Sequence, residues 1–272
     1  MAITKIRLDK LLLDLGYFDS REKARTCIMM NGVSIAGKLL NKAGEQINME
    51  KFYTELELNP EYIQVDDKLL PYVSRGAFKL QAAHQAWGLD FTNKIVLDIG
   101  ASTGGFTDYA LQNGAQRVIA LDVGKGQLHY KLQQDPRVIN LEGVNFRELS
   151  SAAIHCIENQ IDMVVIDVSF ISLITILQKL KSLLTDPTTQ PPRHPVTVAL
   201  IKPQFEAGKE IMDKCQGVIK DETVRQQVLE KVLQQIEELG YTNNGLIESP
   251  IKGAKGNVEY LVNLAILYRV KS

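Results

Sequence analysis

The chain has 272 residues and a formal net charge of −1, with 45% hydrophobic and 23% charged residues. At roughly 100–200 residues per domain, this length allows one large domain, or a large domain together with a small one. The composition is near the average of globular proteins and excludes disordered, collagen-like and coiled-coil chains. Three cysteines at spacings that match no zinc knuckle also exclude a disulfide framework and fit a reducing compartment.

The amino-terminal residues lack the features of a secretory signal. Residues 1–5 lead into a charged stretch, and no run in the chain approaches the ~20 apolar residues of a membrane-spanning helix. We therefore expect a soluble, cytoplasmic protein without membrane contact, and no feature indicates an obligate protein partner.

The first 42 residues are basic, with eight Lys or Arg against four acids, so the remainder of the chain carries a charge of −5. A basic module on a mildly acidic body is typical of a nucleic-acid-binding appendage, because phosphate neutralisation supplies most sequence-independent affinity. A solvated basic face is the alternative. The candidate RNA-binding residues here are Lys5, Arg7, Lys10, Arg21, Lys23 and Arg25.

The same module is predicted to contain two short helices and a hairpin. Leucines at helical spacing predict a helix from Arg7 to Leu15, and Asp19 with Glu22 resembles a capping box that starts a second helix. Two strands, Val33–Ala36 and Glu45–Ile47, are predicted to pair around a turn at Gly37. This pattern resembles the ribosomal-protein-S-four-type RNA-binding domain over roughly residues 5–60. We expect an RNA-binding domain at residues 1–62, a linker at 63–74 and a second domain at 75–272.

The second domain alternates strands and helices. Short apolar runs predict strands at Ile95–Ile99, Val118–Leu121, Met163–Ile166, Val196–Ile201 and Val258–Tyr268, and helices at Phe106–Gln112 and Asp221–Leu239. Such alternation predicts an α/β fold, a mostly parallel sheet with helices on both faces and ligands at the carboxyl ends of its strands.

A glycine-rich turn follows the first of these strands. Glycines let a ligand approach the backbone where a helix begins, and Asp122 at the end of the next strand could accept hydrogen bonds from a ribose. The spacing fits neither the common dinucleotide-binding loop nor a P-loop, and the combination points to S-adenosyl-L-methionine. An NAD-type ligand and a purely structural turn remain alternatives. The candidate cofactor-binding residues are Asp98, Gly100, Ala101, Ser102, Thr103, Gly104, Gly105, Phe106, Asp122, Val123, Asn145, Phe146 and Asp167.

Four polar residues stand before, at or after predicted strand ends: Lys79, Asp167, Lys202 and Glu259. Singly, each could be a solvated lysine or a capping acid. Two lysines interleaved with two carboxylates can instead form a closed cluster that orients a hydroxyl group.

In their order, these four residues resemble the lysine–aspartate–lysine–glutamate tetrad of the FtsJ/RrmJ-like ribose 2'-O-methyltransferases. With the basic module, the whole chain is similar to the TlyA family of rRNA cytidine-2'-O-methyltransferases, whose members are often labelled hemolysins. The strongest marks are the segments at residues 72–76, 97–107, 167–172 and 201–206.

The resemblance implies a Rossmann-like class I S-adenosylmethionine-dependent methyltransferase fold with a small N-terminal α+β RNA-binding domain. It implies that Lys202 takes the proton of a ribose 2'-hydroxyl, that Asp167 orients Lys202 and the cofactor's amino group, and that Glu259 holds Lys79. Residues 143–147 would cover the adenine. No metal is required, because no phosphate leaves and no water is activated.

The implied substrate is ribosomal RNA within ribosomal subunits. Arg75, Lys252 and Lys255 flank tetrad members and could hold phosphates, and residues 208–217 are interpreted as a flap. The chain ends soon after its last strand, which favours the large subunit alone as substrate.

Two other classes of function stay open. A non-catalytic ribosome-binding protein that keeps cofactor binding would have no use for the tetrad. A cytolysin, as the family label suggests, would need an export signal, a membrane span or a strongly amphipathic helix, and we find none of these in the sequence.

Overall fold

The computed structural model describes residues 5–18, 20–30, 32–59, 62–65, 71–150, 161–185, 195–253 and 256–266. The chain divides into two compact units, Met1–Arg75 and Gly76–Ser272.

The first unit combines short helices with two small sheets. Its elements are β1 (Lys5–Arg7), α1 (Leu8–Asp14), α2 (Arg21–Met29), β2 (Val33–Ile35), β3 (Lys38–Leu39), β4 (Gln46–Asn48), α3 (Met49–Leu58) and β5 (Ile63–Val65). Leu8, Leu11 and Leu12 are fully buried, and complete burial of one such side chain contributes about 1.5–3 kcal/mol. The amphipathic pattern thus gives α1 the buried face that the sequence predicted.

The start of α2 differs from the prediction by one residue. Ser20 is the N-cap, and its hydroxyl oxygen accepts a hydrogen bond from the backbone N–H of Lys23 at 3.3 Å. Asp19, the expected capping residue, lies outside the described residues.

The predicted pairing of the two strands in this unit is wrong. β2 pairs with β3 and β5, whereas β4 pairs with β1. Ala36 and Gly37 form the turn, with φ of 53° and 72°, and such a two-residue turn connects β2 directly to the next segment, β3. Residues 63–65, which the sequence assigned to the linker, form β5 because Ile63 is buried against β2.

The second unit contains a mostly parallel sheet with its helices. Its elements are α4 (Ala77–Trp87), β6 (Ile95–Ile99), α5 (Gly105–Gln112), β7 (Arg117–Asp122), α6 (Tyr130–Gln133), β8 (Val138–Glu142), β9 (Met163–Ile166), α7 (Leu173–Leu184), β10 (Val196–Ile201), α8 (Pro203–Glu206), α9 (Lys209–Lys214), α10 (Glu222–Glu238), β11 (Tyr241–Glu248) and β12 (Tyr260–Ile266).

Within the described residues, the sheet has seven strands in the order β11-β12-β10-β9-β6-β7-β8. The five strands from β10 to β8 are mutually parallel, and β12 runs antiparallel to both β10 and β11. From β6 the chain passes outward to β7 and β8, and then returns to β9 on the other side. This reversal creates a crevice at the carboxyl ends of β6 and β9, where ligands bind in such sheets. The predicted α/β architecture is confirmed.

The central strands form the core. β6, β7, β9 and β10 carry nearly continuous buried apolar side chains. The helix α10 packs beside β11 and α7 and buries Val228, Leu229, Val232 and Ile236. Residues 208–217, interpreted as a flap, contain the helix α9. The predicted last strand is shorter at its start, and its last two residues lie outside the described part. None of the helices in the described ranges is long and apolar enough to cross a membrane.

Candidate active site

The four tetrad residues come together at the carboxyl edge of the sheet. Lys79 lies in the first turn of α4, Asp167 follows β9, Lys202 follows β10, and Glu259 precedes β12. Lys79 Nζ lies 3.0 Å from Asp167 Oδ2 and 2.9 Å from Glu259 Oε2. Lys202 Nζ lies 2.6 Å from Asp167 Oδ1. The charges therefore alternate along one chain of contacts, from Lys202 through Asp167 and Lys79 to Glu259.

Burial makes these contacts strong. Lys79, Lys202 and Glu259 are 8%, 7% and 2% exposed. Burial alone would lower the pKa of Lys79, but the charges of Asp167 and Glu259 outweigh it, so this pKa is raised. Burial alone would raise the pKa of Asp167, but Lys79 and Lys202 outweigh it, so this pKa is lowered. Lys79 therefore stays protonated and Asp167 stays ionised near neutral pH.

The two lysines differ in their partners. Lys79 is held between two carboxylates, whereas Lys202 contacts one carboxylate and donates a hydrogen bond to Ser169 Oγ at 3.0 Å. The Nζ of Lys202 also lies 5.9 Å from the centre of the Phe205 ring. Among the described residues Lys202 is not enclosed between two carboxylates, so it is the better candidate for a proton acceptor.

Glu259 is supported by residues that the sequence analysis did not assign. Its Oε1 accepts a hydrogen bond from Gln204 Nε2 at 3.2 Å. A Cβ atom at Gly253 would overlap the Glu259 carboxylate, so any other residue at this position would displace that carboxylate. Gln204 and Ser169 both lie in segments that mark the family resemblance. Each stands two positions after a tetrad residue, Lys202 and Asp167 respectively, and this closeness in sequence could have indicated a role for them.

The glycine-rich turn packs closely against the tetrad. Gly100 and Gly104 have φ of 86° and 93°, which favours glycine. A Cβ atom at Gly100 would lie 2.6 Å from the carbonyl oxygen of Asp167. Glycine at this position therefore lets the turn lie directly beside the end of β9.

Asp98 leaves a buried acceptor unused. The residue is fully buried, and its Oδ2 accepts a hydrogen bond from Thr107 Oγ1 at 2.6 Å. Its Oδ1 has no hydrogen-bond partner among the residues that the structure describes. Burial, together with the charges of Asp167 and Asp122, raises the pKa of Asp98 to about 7. A buried, unpaired carboxylate oxygen beside the glycine-rich turn fits a ligand that brings a cationic donor.

Asp122 ties the turn to β7. Its Oδ2 accepts a hydrogen bond from the Ser102 N–H at 2.8 Å, and its Oδ1 accepts one from the Gly124 N–H at 2.7 Å. Each carboxylate oxygen keeps a second acceptor site, so ribose hydroxyls remain possible partners. The next residue, Val123, is 73% exposed and could cover a flat ligand.

The segment expected to cover an adenine has its aromatic ring in the core. Phe146 is 3% exposed and packs among core residues, as does Phe106 at 4% in its own helix. Only their backbone groups are available to a ligand. Asn145 accepts a hydrogen bond from the Arg147 N–H and donates one to Glu148, and so begins a short 3-10 turn.

Comparison with known protein families shows to which family this site belongs. The family model of FtsJ-like methyltransferases matches residues 72–265, which span the glycine-rich turn and all four tetrad positions. The chain belongs to the FtsJ-like methyltransferase family. Its class as an enzyme, predicted from the tetrad, is therefore confirmed.

Relatives of this FtsJ-like methyltransferase match almost the whole chain. YqxC of Bacillus subtilis is 41% identical over 264 residues, which cover 97% of this chain and 87% of the relative. A Mycobacterium tuberculosis protein named 16S/23S rRNA (cytidine-2'-O)-methyltransferase TlyA is 37% identical over 258 residues, 95% of this chain and 89% of that protein. A solved structure from Streptococcus thermophilus that carries a hemolysin name has a TM-score of 0.68 and 39% identity, covering 97% of this chain and 90% of that one. The predicted TlyA resemblance is confirmed, and it includes the N-terminal unit.

The candidate RNA-binding residues of the methyltransferase have different surroundings. Lys5, Lys10 and Lys252 are exposed and Lys23 is half-buried, whereas Lys255 lies outside the described part of the chain. Arg7, Arg21 and Arg25 converge on Asp9. The Nε of Arg75 lies 3.8 Å from Glu22 Oε1, and its Nη1 donates to the sulfur of Met29 at 3.9 Å. Arg75 therefore contacts residues of the N-terminal unit, and its expected contact with phosphate stays a prediction.

The sequence analysis gave no role to Phe170, three residues after Asp167. Its side chain is 91% exposed, its φ is 64°, and its ring centre lies 5.1 Å from that of Phe205. A large apolar side chain that stays exposed beside buried charged residues points to contact with a substrate.

Proposed function

We propose that the chain transfers the methyl group of S-adenosyl-L-methionine to the ribose 2'-hydroxyl of a cytidine in ribosomal RNA, and that it does so in the cytoplasm. The observation that carries this proposal is the linked cluster of Lys202, Asp167, Lys79 and Glu259 beside a glycine-rich turn. A protein that only binds RNA and cofactor would need the turn alone. The TlyA-named relative supports the nucleoside and the class of RNA.

The residues present suit the cofactor. Asp98 Oδ1, which has no hydrogen-bond partner within the described ranges, would accept a hydrogen bond from the cofactor's amino group. The backbone of residues 100–105 would line its methionine end, and Asp122 would accept hydrogen bonds from its ribose. When bound, S-adenosyl-L-methionine supplies an electrophilic methyl group on a sulfonium.

The protein's part in the reaction is proton transfer and alignment. Lys202 Nζ would take the proton of the 2'-hydroxyl, which requires the neutral amine. Asp167, 2.6 Å away, fixes the position of Lys202, and Lys79 with Glu259 fixes Asp167. Alignment of the hydroxyl supplies much of the acceleration, because the methyl donor is already reactive.

The proposal is tested with tritium-labelled S-adenosyl-L-methionine and ribosomal subunits that lack the modification. We expect label on the 2'-oxygen of a cytidine in the small subunit, the large subunit or both, and primer extension that is sensitive to ribose methylation maps each site. Absence of transfer to either subunit and to intact ribosomes, by protein shown to bind the cofactor, would contradict the proposal and favour a non-catalytic ribosome-binding role.

Cofactor affinity should rise with pH. A cationic ligand group is held by the ionised form of Asp98, whose pKa is about 7. Affinity for S-adenosylhomocysteine should therefore increase by about tenfold between pH 6 and pH 8. Isothermal titration calorimetry measures this, and the Asp98→Asn variant should bind more weakly with no such dependence. Equal wild-type affinities at the two pH values would show that Asp98 does not hold the ligand.

Phe170 should contribute to substrate binding. Stacking of a splayed base on an aromatic ring is worth about 1–3 kcal/mol, so Phe170→Ala should lower kcat/KM for the ribosomal substrate by roughly 5-fold to 150-fold. Phe170→Tyr keeps the ring and should retain most activity. Cofactor affinity should not change in either variant. An alanine variant with wild-type kcat/KM would exclude this role.

A further inference from the structure

One carboxylate in the N-terminal unit holds three arginines. Asp9, the second residue of α1, is fully buried. Arg7 donates to it through Nε at 3.0 Å and Nη2 at 2.9 Å, and Arg21 Nη2 lies 3.1 Å from both carboxylate oxygens. Arg25 Nε lies 3.4 Å from Oδ2. We refer to Arg7, Arg21 and Arg25 as the arginine cluster.

The side chains of the arginine cluster are exposed, whereas the carboxylate of Asp9 is buried. The side chains of Arg7, Arg21 and Arg25 are 41%, 49% and 44% exposed, whereas that of Asp9 is 0% exposed. Burial alone would raise the pKa of Asp9, but hydrogen bonds from Arg7 and Arg21 outweigh it, so this pKa is lowered. The arginine cluster carries three positive charges and the ionised Asp9 carries one negative charge, so together they have a net charge of +2.

Backbone hydrogen bonds and a glycine also help to hold Asp9 and Arg7 in place. The N–H of Leu8 donates to the carbonyl of Glu45 at 2.8 Å, and the N–H of Asp9 donates to that of Ala43 at 3.1 Å. A Cβ atom at Gly44 would lie 3.2 Å from Arg7 Nη1, so this glycine leaves room for the guanidinium group. Both the carboxylate and the loop beneath it therefore hold Arg7 in one place.

Asp9 has two opposite effects on an RNA ligand. Its negative charge weakens the attraction of the surface for phosphate. Its hydrogen bonds, however, restrict the arginine side chains before binding, so that less conformational freedom is lost when RNA binds. A guanidinium group has five N–H donors, and those that do not face Asp9 remain available for phosphate oxygens.

We propose that Asp9 is a positioning residue for RNA binding, which holds Arg7, Arg21 and Arg25 as one fixed array for the phosphates of the RNA substrate. The inference rests on the proposed function, because it takes the substrate to be RNA. The inference goes beyond the proposed function because it gives a role in RNA affinity to Asp9, a buried acid that cannot itself contact phosphate favourably.

The inference is tested by whether Asp9→Asn strengthens or weakens the binding of RNA. Asp9→Asn and Asp14→Asn each remove one negative charge from α1, but Asp14 is exposed and, in the part of the chain that the structure describes, forms no ion pair or hydrogen bond with the cluster. A purely electrostatic role predicts tighter RNA binding by both variants. Positioning predicts that Asp14→Asn binds at least as tightly as wild type, whereas Asp9→Asn binds about tenfold more weakly. The measurement is filter binding to unmodified ribosomal subunits over a series of salt concentrations.

Further readouts separate positioning from loss of the fold. The salt dependence of binding by Asp9→Asn should stay as steep as in wild type, since no phosphate-contacting cation is removed. In methyl transfer its KM should rise with kcat unchanged. Arg21→Lys keeps both Asp9 and the charge but loses the planar fork, so it should also bind more weakly even if Asp9→Asn does not fold.

The outcomes are distinguishable. Wild-type protein that binds neither subunit would contradict the proposed function and this inference together. Wild-type binding with an Asp9→Asn variant that is folded and binds as tightly as Asp14→Asn would overturn the inference alone, as would wild-type affinity in Arg21→Lys.

Discussion

Replacing Lys202 with alanine should lower the rate of methyl transfer by about 10²–10⁴-fold, the usual contribution of a positioned general base. The fold should survive, because Asp167 keeps its ion pair with Lys79 at 3.0 Å when the contact with Lys202 is lost. Affinity for S-adenosylhomocysteine should change only a few-fold. Single-turnover transfer to ribosomal subunits and calorimetric binding measure the two quantities separately.

Lys202→Arg is the matched control for this prediction. Arginine keeps the positive charge beside Asp167 but stays protonated throughout the accessible pH range, so it cannot accept a proton. We expect it to be as inactive as the alanine variant. If Lys202→Arg retained the wild-type rate, Lys202 would serve as an electrostatic group and the proton would leave by another route.

In the second unit, the central strands of the sheet could be predicted from the sequence, whereas its edge strands could not. β6, β7, β9 and β10 lie in the middle of the sheet, so both faces are buried and each strand appears as a continuous apolar run. β8 and β11 are the edge strands, and they carry polar residues such as the exposed Asn140 and the half-buried Asn243. The sequence analysis missed both, because neither strand has a continuous buried apolar run or a strict alternation of apolar and polar residues.

Pairing between strands was harder to predict than their existence. Val33–Ile35 and Gln46–Asn48 are both strands, close to the predicted ranges, yet they belong to different sheets. The first strand pairs with β3 and β5 and the second with β1, segments of only two or three residues that are too short to show a pattern. Partner choice depends on packing in three dimensions, which a local pattern does not contain.

The order of the tetrad could be taken from the sequence, but its supporting contacts could not. Strand-end positions and family resemblance suggested the four residues, and the structure links them by ion pairs. Gln204 and Gly253 approach Glu259 from segments 55 and 6 positions away, respectively, and only the fold brings them there. Asp9 was counted as an acid that reduced the basic charge, whereas the structure makes it the centre of the arginine cluster.

Replacing Lys79 with methionine should destabilise the methyltransferase unit by about 3–5 kcal/mol, the usual effect of breaking a buried ion pair. The substitution leaves Glu259, which is 2% exposed, with Gln204 as its remaining hydrogen-bond donor in the described part of the chain. The only tryptophan, Trp87, lies on the same helix as Lys79. Its fluorescence therefore reports unfolding of this unit in urea.

The pH dependence of this loss follows from the pKa of Lys79, which is raised in the folded protein. The stabilisation is fully present below the unfolded lysine pKa of about 10.4 and is lost as the pH rises through the folded value. The difference in unfolding free energy between wild type and Lys79→Met should thus be constant from about pH 6 to pH 9 and shrink only at more alkaline pH.

A double variant separates the structural role of Lys79 from its role in positioning. Lys79→Met with Glu259→Gln removes both charges of the pair, so most of the lost stability should return. Methyl transfer should not return, because Asp167 then lacks the contact that holds it from the side opposite Lys202. If the double variant recovered activity together with stability, the Lys79–Glu259 pair would be needed only for the fold, and the catalytic cluster would reduce to Asp167 and Lys202.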